Sequence, residues 1–514
     1  MGARHTTHDG IRRWAIFLSV AVALFSLLWV GWGTLSGRIT TSFVSQLRPY
    51  STMSVGLIDS PQSLDLRKND NEQASRVLLG NVYETLTTRT QSNTIAPGLA
   101  SSWTVSQDAL TYTFHLRSDL RFSNEHVLDS ADVVWSLQAA LTNHYAGYDK
   151  LSALSSVSAD DATTVSLTLS TPDPTLLRTL STPVGIVYDK EATYDHATTA
   201  VGSGPFAVSD FEKGSSITLQ RNKHYWGTGS ETSQITLRYY ADDDALLDSL
   251  DKNVVQMALP SPTVSSHRLD SLSDVTVVSG ATTSKVLVAF NMDTESPFSD
   301  SLVRSATRRL IDTKAIVKSR ADDADSALGG PISPLEPGYE DLTGLFPHDV
   351  AKAQSMMTFY GTSYFSKPAV FLVPKSYSAL GTTIVDQLKQ NGRYAISMRV
   401  VPDAKMADQL AAGDFSMALV RDDGTDDLSR FATTDDIYHY ENSEVQRLYA
   451  STSTATSEDA YETDLRKLAS TISKDAPCAW LYTRKNVVAT RTGVTGYPRN
   501  MTDDRIDLAG LTQD

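Results

Sequence analysis

The sequence predicts an α/β protein built from two or three lobes. The chain has 514 residues, more than one compact core accommodates. Strand-like and helix-like segments alternate in its second half, the order expected of a largely parallel sheet. In its first half, apolar side chains recur at every second position, as in LTYTFHLRSDLRF at 110–122. This period of two is typical of half-buried strands.

An apolar segment near the start of the chain predicts a membrane anchor. No charged residue occurs from Trp14 to Gly37, which is long enough for the roughly 20 residues of a spanning helix. The arginines before this segment place the first residues in the cytoplasm by the positive-inside rule. A cleaved signal peptide is the alternative, although its apolar region is usually shorter, about 7–15 residues. The segment therefore favours a single-pass protein of the cell membrane, with the rest of the chain on the extracytoplasmic face.

The first half is predicted to hold two helices among several strands. Asp129 or Ser130 can cap the second helix. The predicted elements are, in chain order, a strand at 53–58, a helix at Gln73–Leu86, strands within 103–122, a helix at 128–141, and strands at 165–170, 216–222, 235–240 and 285–291.

The second half is predicted to alternate helices and strands more regularly. Its first helix, at 299–317, is expected to turn Leu302 inward and Arg304, Arg308 and Arg309 outward. The elements that follow are a helix beginning near Pro347, a strand at 369–374, a helix at 379–390, a strand at 395–401, a short helix at 404–411, a strand at 415–420, a helix at 459–472 and strands within 478–490.

Composition and motifs exclude several classes of function. A net charge of −15 argues against nucleic acid as a partner, because phosphate binding requires clustered Lys and Arg. The single cysteine, Cys478, cannot form an intrachain disulfide, and it lies in an apolar run that predicts a buried, inert thiol. The histidines lack the spacing of a zinc site, so no bound metal is expected. No cofactor is expected either. Motifs of serine hydrolases, β-lactamases and zinc proteases are absent, so the sequence does not predict an enzyme.

Five segments, in order, resemble the family 5 extracellular solute-binding proteins of ABC importers, which include oligopeptide- and dipeptide-binding proteins. The resemblance extends from about residue 53 to 510. The matching segments are YETLTTRTQSNTIAPGLASSWTVSQDALTYTFHLRSDLRFSNEHVLDSADVVWSLQAAL (83–141), VGSGPFAVSDFEKGSSITLQRNKHYWG (201–227), LVAFNMDTESPFSDSLVRSATRRLIDTKAIV (287–317), GGPISPLEPGY (329–339) and APCAWLYTRKNVVATRTGVTGY (476–497).

The resemblance implies a two-lobed, periplasmic-binding-protein-like fold of type II with an inserted third subdomain, preceded by one N-terminal transmembrane helix. Hinges are expected near Lys285–Asn291 and Lys474–Cys478. The implied divisions are a cytoplasmic tail at 1–13, the anchor at 14–37 and a solute-binding domain at 38–514, with lobe I at about 46–84, 185–284 and 476–514, the inserted subdomain at about 85–184 and lobe III at about 285–475.

The resemblance also implies a function. The chain would capture a peptide or similar polar solute by hinge closure and deliver it to a membrane permease, which works with ATPase subunits. A ligand closes such a cleft only by binding the closed form more tightly than the open form. The alternative is an anchored ligand-sensing or scaffold domain that serves no transporter.

The resemblance places a ligand-binding carboxylate in the segment RDDGTDDLSR at 421–430. Peptide-binding members use an aspartate here to receive the free amine of the ligand, within a tryptophan-containing motif that this chain lacks. The candidates are Asp422, Asp423, Asp426 and Asp427, together with Arg421. Paired aspartates in a glycine-containing loop are also typical of solvated turns, and that interpretation stays open.

Two further segments lie where family members contact ligand. The segment KNDNEQ at 68–73 suggests Asn69, Asp70 and Asn71 as ligand contacts, and HYAGY at 144–148 suggests Tyr145 and Tyr148. Aromatic faces over a cleft bind peptide planes or sugar rings. By contrast, His115 and Arg117 on the wet face of the strand at 110–122 are expected to do no chemistry, and the turn at 202–205 is expected to shape the backbone.

Overall fold

A computed structural model describes residues 51–68, 71–261, 264–360, 364, 367–390, 395–422, 425–433, 437–502 and 505–513. The predicted anchor at 14–37 lies outside these ranges, as do Asn69, Asp70 and Asp423. For 425–427 the backbone alone is described, so the side chains of Asp426 and Asp427 also lie outside. Within the described ranges, every helix is too short or too polar to cross a bilayer.

Nineteen strands occur among the described residues. They are β1 (Ser51–Ile58), β2 (Thr87–Arg89), β3 (Ile95–Pro97), β4 (Ala100–Val105), β5 (Thr111–Leu116), β6 (Leu154–Asp161), β7 (Thr164–Leu169), β8 (Phe206–Glu212), β9 (Ser216–Arg221), β10 (Thr232–Tyr240), β11 (Met257–Leu259), β12 (Val275–Phe290), β13 (Ala324–Ala327), β14 (Ala369–Pro374), β15 (Ile396–Val401), β16 (Met417–Asp422), β17 (Cys478–Arg491), β18 (Val494–Thr495) and β19 (Thr512–Gln513).

Twelve α-helices accompany the strands in the same described ranges. They are α1 (Glu72–Leu78), α2 (Ser130–Thr142), α3 (Leu176–Thr179), α4 (Asp243–Asp251), α5 (Ser266–Asp270), α6 (Ser301–Leu310), α7 (Thr313–Ser319), α8 (Val350–Met357), α9 (Ser378–Lys389), α10 (Met406–Ala411), α11 (Ser443–Ser453) and α12 (Glu458–Asp475).

One mixed sheet connects the two main lobes. Its strand order is β15-β14-β16-β12-β17-β11-β1-β10-β9-β8, and β13 also pairs with β17. Strand β14 is parallel to β15 and β16, whereas β12 is antiparallel to β16 and β17. The sheet predicted for the second half is therefore mixed rather than largely parallel, because the two strands shared with the other lobe run against their neighbours.

The described chain from residue 52 onward contains three separately packed regions. Lobe I holds β1, α1, β8–β10 and the C-terminal residues around one core, and α4 and α5 pack against β11 and β17 in a second core. The inserted subdomain packs α2 against the sheet β4-β5-β7-β6. Lobe III has a core on each face of its sheet.

The two cores of lobe III follow from the alternation of side chains along β12. Val286, Val288 and Phe290 lie in one core, and Leu287 and Ala289 lie in the other. A strand covered by helices on both faces has a continuous apolar sequence, as this segment does.

Strands β12 and β17 are the two connections that cross between the lobes. Residues 275–281 pair with 485–491 beside lobe I, and 285–289 pair with 478–483 inside lobe III. The ladder changes register between Ala281 and Lys285. Such an irregularity is where a paired ribbon bends most easily. The hinge and domain ranges given by the resemblance remain predictions.

Capping decides several helix ends. The Asp129 carboxylate accepts a hydrogen bond from Ala131 N at 2.9 Å, which confirms the predicted cap of α2. Helix α1 ends at Leu78, earlier than the predicted Leu86, because Gly80 adopts a left-handed φ of 80° and turns the chain.

The helix predicted at 299–317 is wrong as a single element. Asp312 caps a new helix by accepting from Ala315 N at 2.9 Å, so α6 ends before it and α7 begins after it. The predicted outward arginines are also wrong for Arg304 and Arg308, which are buried, while Leu302 is exposed. Both guanidinium groups donate to backbone carbonyls in the last turn of α12, where a helix has no i+4 donors of its own for its carbonyl groups.

Candidate functional site

A polar cavity of about 240 Å³ lies between the lobes, beside the crossing strands. We call it the hinge cavity. Its walls come from lobe I, from both crossing strands and from the end of β16 in lobe III. The lining residues are Asp59, Glu72, Gln73, Arg76, Pro260, Thr282, Thr283, Ser284, Arg421, Arg484, Lys485, Asn486 and Met501.

The hinge cavity brings together two segments that the sequence places about 350 residues apart. Glu72 and Gln73 belong to the predicted segment 68–73, and Arg421 belongs to 421–430. Arg421 is exposed at the end of β16. Asn71 is buried, and its amide donates to Asp65 O at 2.7 Å; its predicted ligand contact stays a prediction.

Asp422 is buried and lies near a cation of the protein. It is 6% exposed and lies opposite Lys285 in the β12–β16 ladder. Its carboxylate is 3.8 Å from Arg430 Nη1. Arg430 is therefore close to this carboxylate, and the predicted contact of Asp422 with a ligand amine stays a prediction.

Tyr145 and Tyr148 lie beside the predicted segment 68–73 rather than in the hinge cavity. The Arg67 guanidinium lies 5.5 Å from the centre of the Tyr145 ring. Ala146 N donates to Arg67 O at 2.9 Å, which ties the two segments together. Tyr148 is 38% exposed and its ring centre is 4.4 Å from that of His144.

Asp65 anchors the loop that leads into 68–73. Its Oδ1 accepts from Arg67 Nε at 2.7 Å. Burial opposes the charge of Asp65, but the bonds from Arg67 outweigh it and hold the pKa of Asp65 below its usual value. The pair fixes the position of the loop at neutral pH.

Cations predominate among the described residues that line the hinge cavity. Arg76, Arg421 and Lys485 line the cavity together with Asp59 and Glu72, and Lys485 Nζ donates to Ala321 O. Arg484 also lines the cavity, and its Nε donates to Asp323 Oδ1 at 2.9 Å. Sequence analysis missed Arg76, Arg484 and Lys485. A signal existed for the last two, because they lie in the matching segment 476–497, on the strand that crosses between lobes.

A second cavity, of about 310 Å³, lies between the inserted subdomain and lobe III. We call it the side cavity. The inserted subdomain contributes Lys150, Asp173 and Arg178 among others, and lobe III contributes Tyr449 and Tyr461. A ligand here would contact both units at once.

A buried ion pair forms part of the wall of the side cavity. Lys285 Nζ lies 3.1 Å from Glu336 Oε2, and both residues line the cavity. Because Lys285 belongs to crossing strand β12, this pair connects that strand to the loop at 331–337.

Several of the matching sequence motifs meet at Glu84, in what we call the Glu84 junction. Its carboxylate accepts from Ser203 Oγ at 2.7 Å and from Trp226 Nε1 at 3.0 Å. Arg117 stacks over the Trp226 ring, 4.0 Å from its centre, and its Nε donates to Gly98 O at 2.8 Å. These motifs hold lobe I against the inserted subdomain, so Arg117 has a structural role, and His115 is exposed.

Cys478 is 2% exposed, as predicted for an inert thiol. Within the described part of the chain, no group of three or more His, Cys, Asp and Glu side chains is arranged to hold a metal ion.

The chain is similar to proteins of known family. The pattern of the bacterial extracellular solute-binding proteins, family 5 (middle), matches residues 94–443. Heme-binding protein A of Haemophilus influenzae is 24% identical over 316 residues, covering 54% of this chain and 57% of that protein. The glutathione-binding protein GsiB of Escherichia coli is 26% identical over 299 residues, covering 56% of this chain and 57% of that protein. The chain thus spans somewhat more than half the length of these relatives.

A solved structure shows the same fold. The ABC transporter substrate-binding protein CtaP of Listeria monocytogenes superposes with a TM-score of 0.81 and 19% sequence identity, covering 91% of this chain and all of CtaP. The likeness confirms the predicted two-lobed, periplasmic-binding-protein-like fold.

Proposed function

Because the chain belongs to family 5 of the bacterial extracellular solute-binding proteins, we propose that it is the substrate-binding component of an ABC importer. It captures its solute when lobes I and III close over the hinge cavity, and a permease with ATPase subunits receives the solute. The observation that carries this proposal is the cavity itself, which lies beside the two strands that join the lobes. Binding alone, without catalysis, is the activity proposed.

The proposed substrate is a peptide or similar polar solute that bears a carboxylate. The described lining of the hinge cavity includes Arg76, Arg421 and Lys485. The ligands for which the two relatives are named, haem and glutathione, each carry two carboxylate groups, and glutathione is a tripeptide. Arginine binds carboxylates through paired N–H donors, so this lining suits such a group.

We further propose that residues 14–37 tether the binding domain to the cell membrane, on its extracytoplasmic face. The support is the uncharged length of this segment and the arginines before it.

Calorimetry on the full-length chain in detergent tests the substrate class. The probes are glutathione, trialanine, trialanine C-terminal amide and N-acetyl-trialanine. Arg421→Gln is expected to weaken binding of free trialanine about tenfold, because it removes a charged hydrogen bond, and to leave the amide unaffected. Arg399→Gln, at a half-exposed arginine of β15 that pairs with Asp414, serves as the matched control and is expected to bind normally.

The same titrations test the aspartate segment. If Asp422, Asp423, Asp426 or Asp427 receives the ligand amine, N-acetylation weakens binding and an alanine at the responsible position abolishes that difference. Tight binding of uncharged or carboxylate-free solutes alone would contradict the substrate class. Uptake of labelled peptide that survives deletion of the chain would contradict the transport role and indicate sensing.

A further inference from the structure

A third cavity, of about 600 Å³, lies within lobe III together with the part of β17 that pairs with β12 there. We call it the α7 cavity. Its volume exceeds those of the hinge and side cavities and falls in the range of small-molecule sites. The lining residues are Arg308, Ile311, Asp312, Thr313, Lys314, Ala315, Lys318, Ala327, Leu328, Gly329, Thr343, Gly344, Phe346, Pro347, His348, Ala479 and Trp480.

A buried arginine forms part of the wall of this cavity. Arg308 is 7% exposed, and its guanidinium carbon lies 4.2 Å from the ring centre of Phe346 and 5.3 Å from that of Trp480. Its Nη1 donates to Ser473 O at 2.8 Å and its Nη2 to Gly329 O at 3.0 Å. These bonds use two of the five N–H donors of a guanidinium.

Arg308 has no carboxylate partner among the described residues. Burial lowers its pKa to about 9, and the nearby Arg309 acts in the same direction. A buried cation whose partners are neutral carbonyls and aromatic faces leaves its charge incompletely compensated. An anion entering the cavity would supply the missing charge.

Further cations lie on helix α7 at the cavity wall. Lys314 and Lys318 are exposed and are four residues apart on one helix face. Neither forms a close ion pair with a described residue, although the charge of Lys314 helps to lower the pKa of Asp341. The acid that lines the cavity, Asp312, is already engaged by Ala315 N at 2.9 Å and by His348 Nδ1 at 3.6 Å. The wall therefore carries an excess of positive charge.

Part of the remaining wall is apolar, alongside polar residues such as Thr313 and Thr343. Ile311, Ala315 and Leu328 surround the space between the aromatic rings of Phe346 and Trp480. A flat or aliphatic body would be desolvated against this surface.

We propose that the α7 cavity is a second binding site, for a small anionic molecule with an apolar body. The anionic group lies toward Arg308, Lys314 and Lys318, and the body packs against Phe346 and Trp480. Every lining residue belongs to lobe III or to the part of β17 that pairs with β12 there, so this site does not require closure of the lobes and is separate from the hinge cavity.

The test uses 19F NMR of the full-length chain labelled with 5-fluorotryptophan, with the Trp480 resonance assigned through Trp480→Phe. The probe is 2-naphthoate, and its neutral analogue 2-naphthamide is the comparison. We expect a saturable shift of the Trp480 resonance with 2-naphthoate, and an affinity for 2-naphthamide at least about fivefold weaker. Equal affinity for both probes, or no saturable shift, would overturn the proposal.

Two variants locate the probe without altering the buried arginine. The double variant Lys314→Gln/Lys318→Gln is expected to weaken 2-naphthoate binding about fivefold. The matched control is the double variant Lys389→Gln/Lys467→Gln, at exposed positions elsewhere in lobe III, which is expected to leave binding unchanged. A side chain added at Gly344 would meet open space, so Gly344→Trp can place its indole ring in the cavity. This variant is expected to abolish the shift of the Trp480 resonance with 2-naphthoate. Binding that survives both the lysine pair and Gly344→Trp would place the probe elsewhere and refute the site.

Discussion

Glu84 is a carboxylate whose surroundings oppose its charge. Burial raises its pKa to about 7, although hydrogen bonds from Ser203 and Trp226 and the charge of Arg117 act in the opposite direction. The folded protein therefore holds a proton at Glu84 more tightly than the unfolded chain does. The stabilisation that follows is complete below the unfolded pKa and is lost as pH rises through 7.

Replacing Glu84 with glutamine should remove this part of the pH dependence. The amide of the new side chain would keep an acceptor for Trp226 and add a donor for Ser203, without ionising. Between pH 5 and pH 8 the wild type should lose on the order of 1–2 kcal/mol relative to Glu84→Gln, allowing for solvent near the carboxylate. Thermal unfolding of both proteins across this range measures the difference.

The control is Glu212→Gln, because Glu212 is exposed at the end of β8. This variant should follow the wild-type profile. Parallel profiles for the wild type and Glu84→Gln would show that the Glu84 junction does not titrate in this range.

At the scale of elements, the turn at 202–205 depends on the absence of side chains. The turn runs against the end of α1 and the segment that follows it, where Phe206 N donates to Asn81 O at 2.9 Å. A Cβ atom at Gly202 would overlap the carbonyl oxygen of Val82, and one at Gly204 would overlap that of Asn81. The backbones can approach this closely only when both positions are glycine.

Gly202→Ala should therefore be strongly destabilising. The overlapping atom belongs to the backbone and cannot move aside cheaply, so a loss of about 3 kcal/mol or more is expected. Urea unfolding measures this loss. Gly344→Ala, where an added Cβ would meet open space, is the matched control and should change stability by less than about 0.5 kcal/mol. Equal stability of the two variants would contradict the close approach.

At the scale of the whole molecule, the hairpin of β2 and β3 links the inserted subdomain to lobe III. Asn93 at its tip is 2% exposed and has a left-handed φ of 61°. Its Oδ1 accepts from Arg178 Nη1 at 2.7 Å, and its Nδ2 donates to Leu335 O at 2.9 Å. Leu335 precedes Glu336, the partner of Lys285 on the crossing strand, so one short path of contacts connects the inserted subdomain with the hinge region.

Asn93→Gly should loosen this connection. Glycine keeps the left-handed backbone but removes the side-chain bonds to Arg178 and Leu335, and a weaker one from Arg89, so we expect a loss of about 1–3 kcal/mol and a larger radius of gyration. Urea unfolding and small-angle X-ray scattering measure the two effects. Asn253→Gly, at an exposed position with a φ of 56°, is the control for the backbone change. An unchanged radius together with unchanged stability would show that Asn93 does not hold the two units together.

Periodicity and local chemistry were enough to predict much of the fold. The alternation in 110–122, the Asp129 cap and the apolar run of β12 each depend on neighbours in sequence, and each was predicted at its place. The resemblance then identified the family, because motifs such as those around Glu84, Gly202 and Trp226 are required by one packing arrangement.

Long-range packing decided which charged residues are buried and which residues line the candidate site. Arg304 and Arg308 were expected outside because charge normally lies in water, but the end of α12 offers carbonyl groups that only the folded chain brings near. The same holds for the candidate site, where Arg76, Arg421 and Lys485 meet across hundreds of residues. The order of residues determined which strands and helices form and to which family the chain belongs. Which charges face a cavity was decided by tertiary structure, because Coulomb and hydrogen-bond energies depend on distances in space that sequence spacing does not specify.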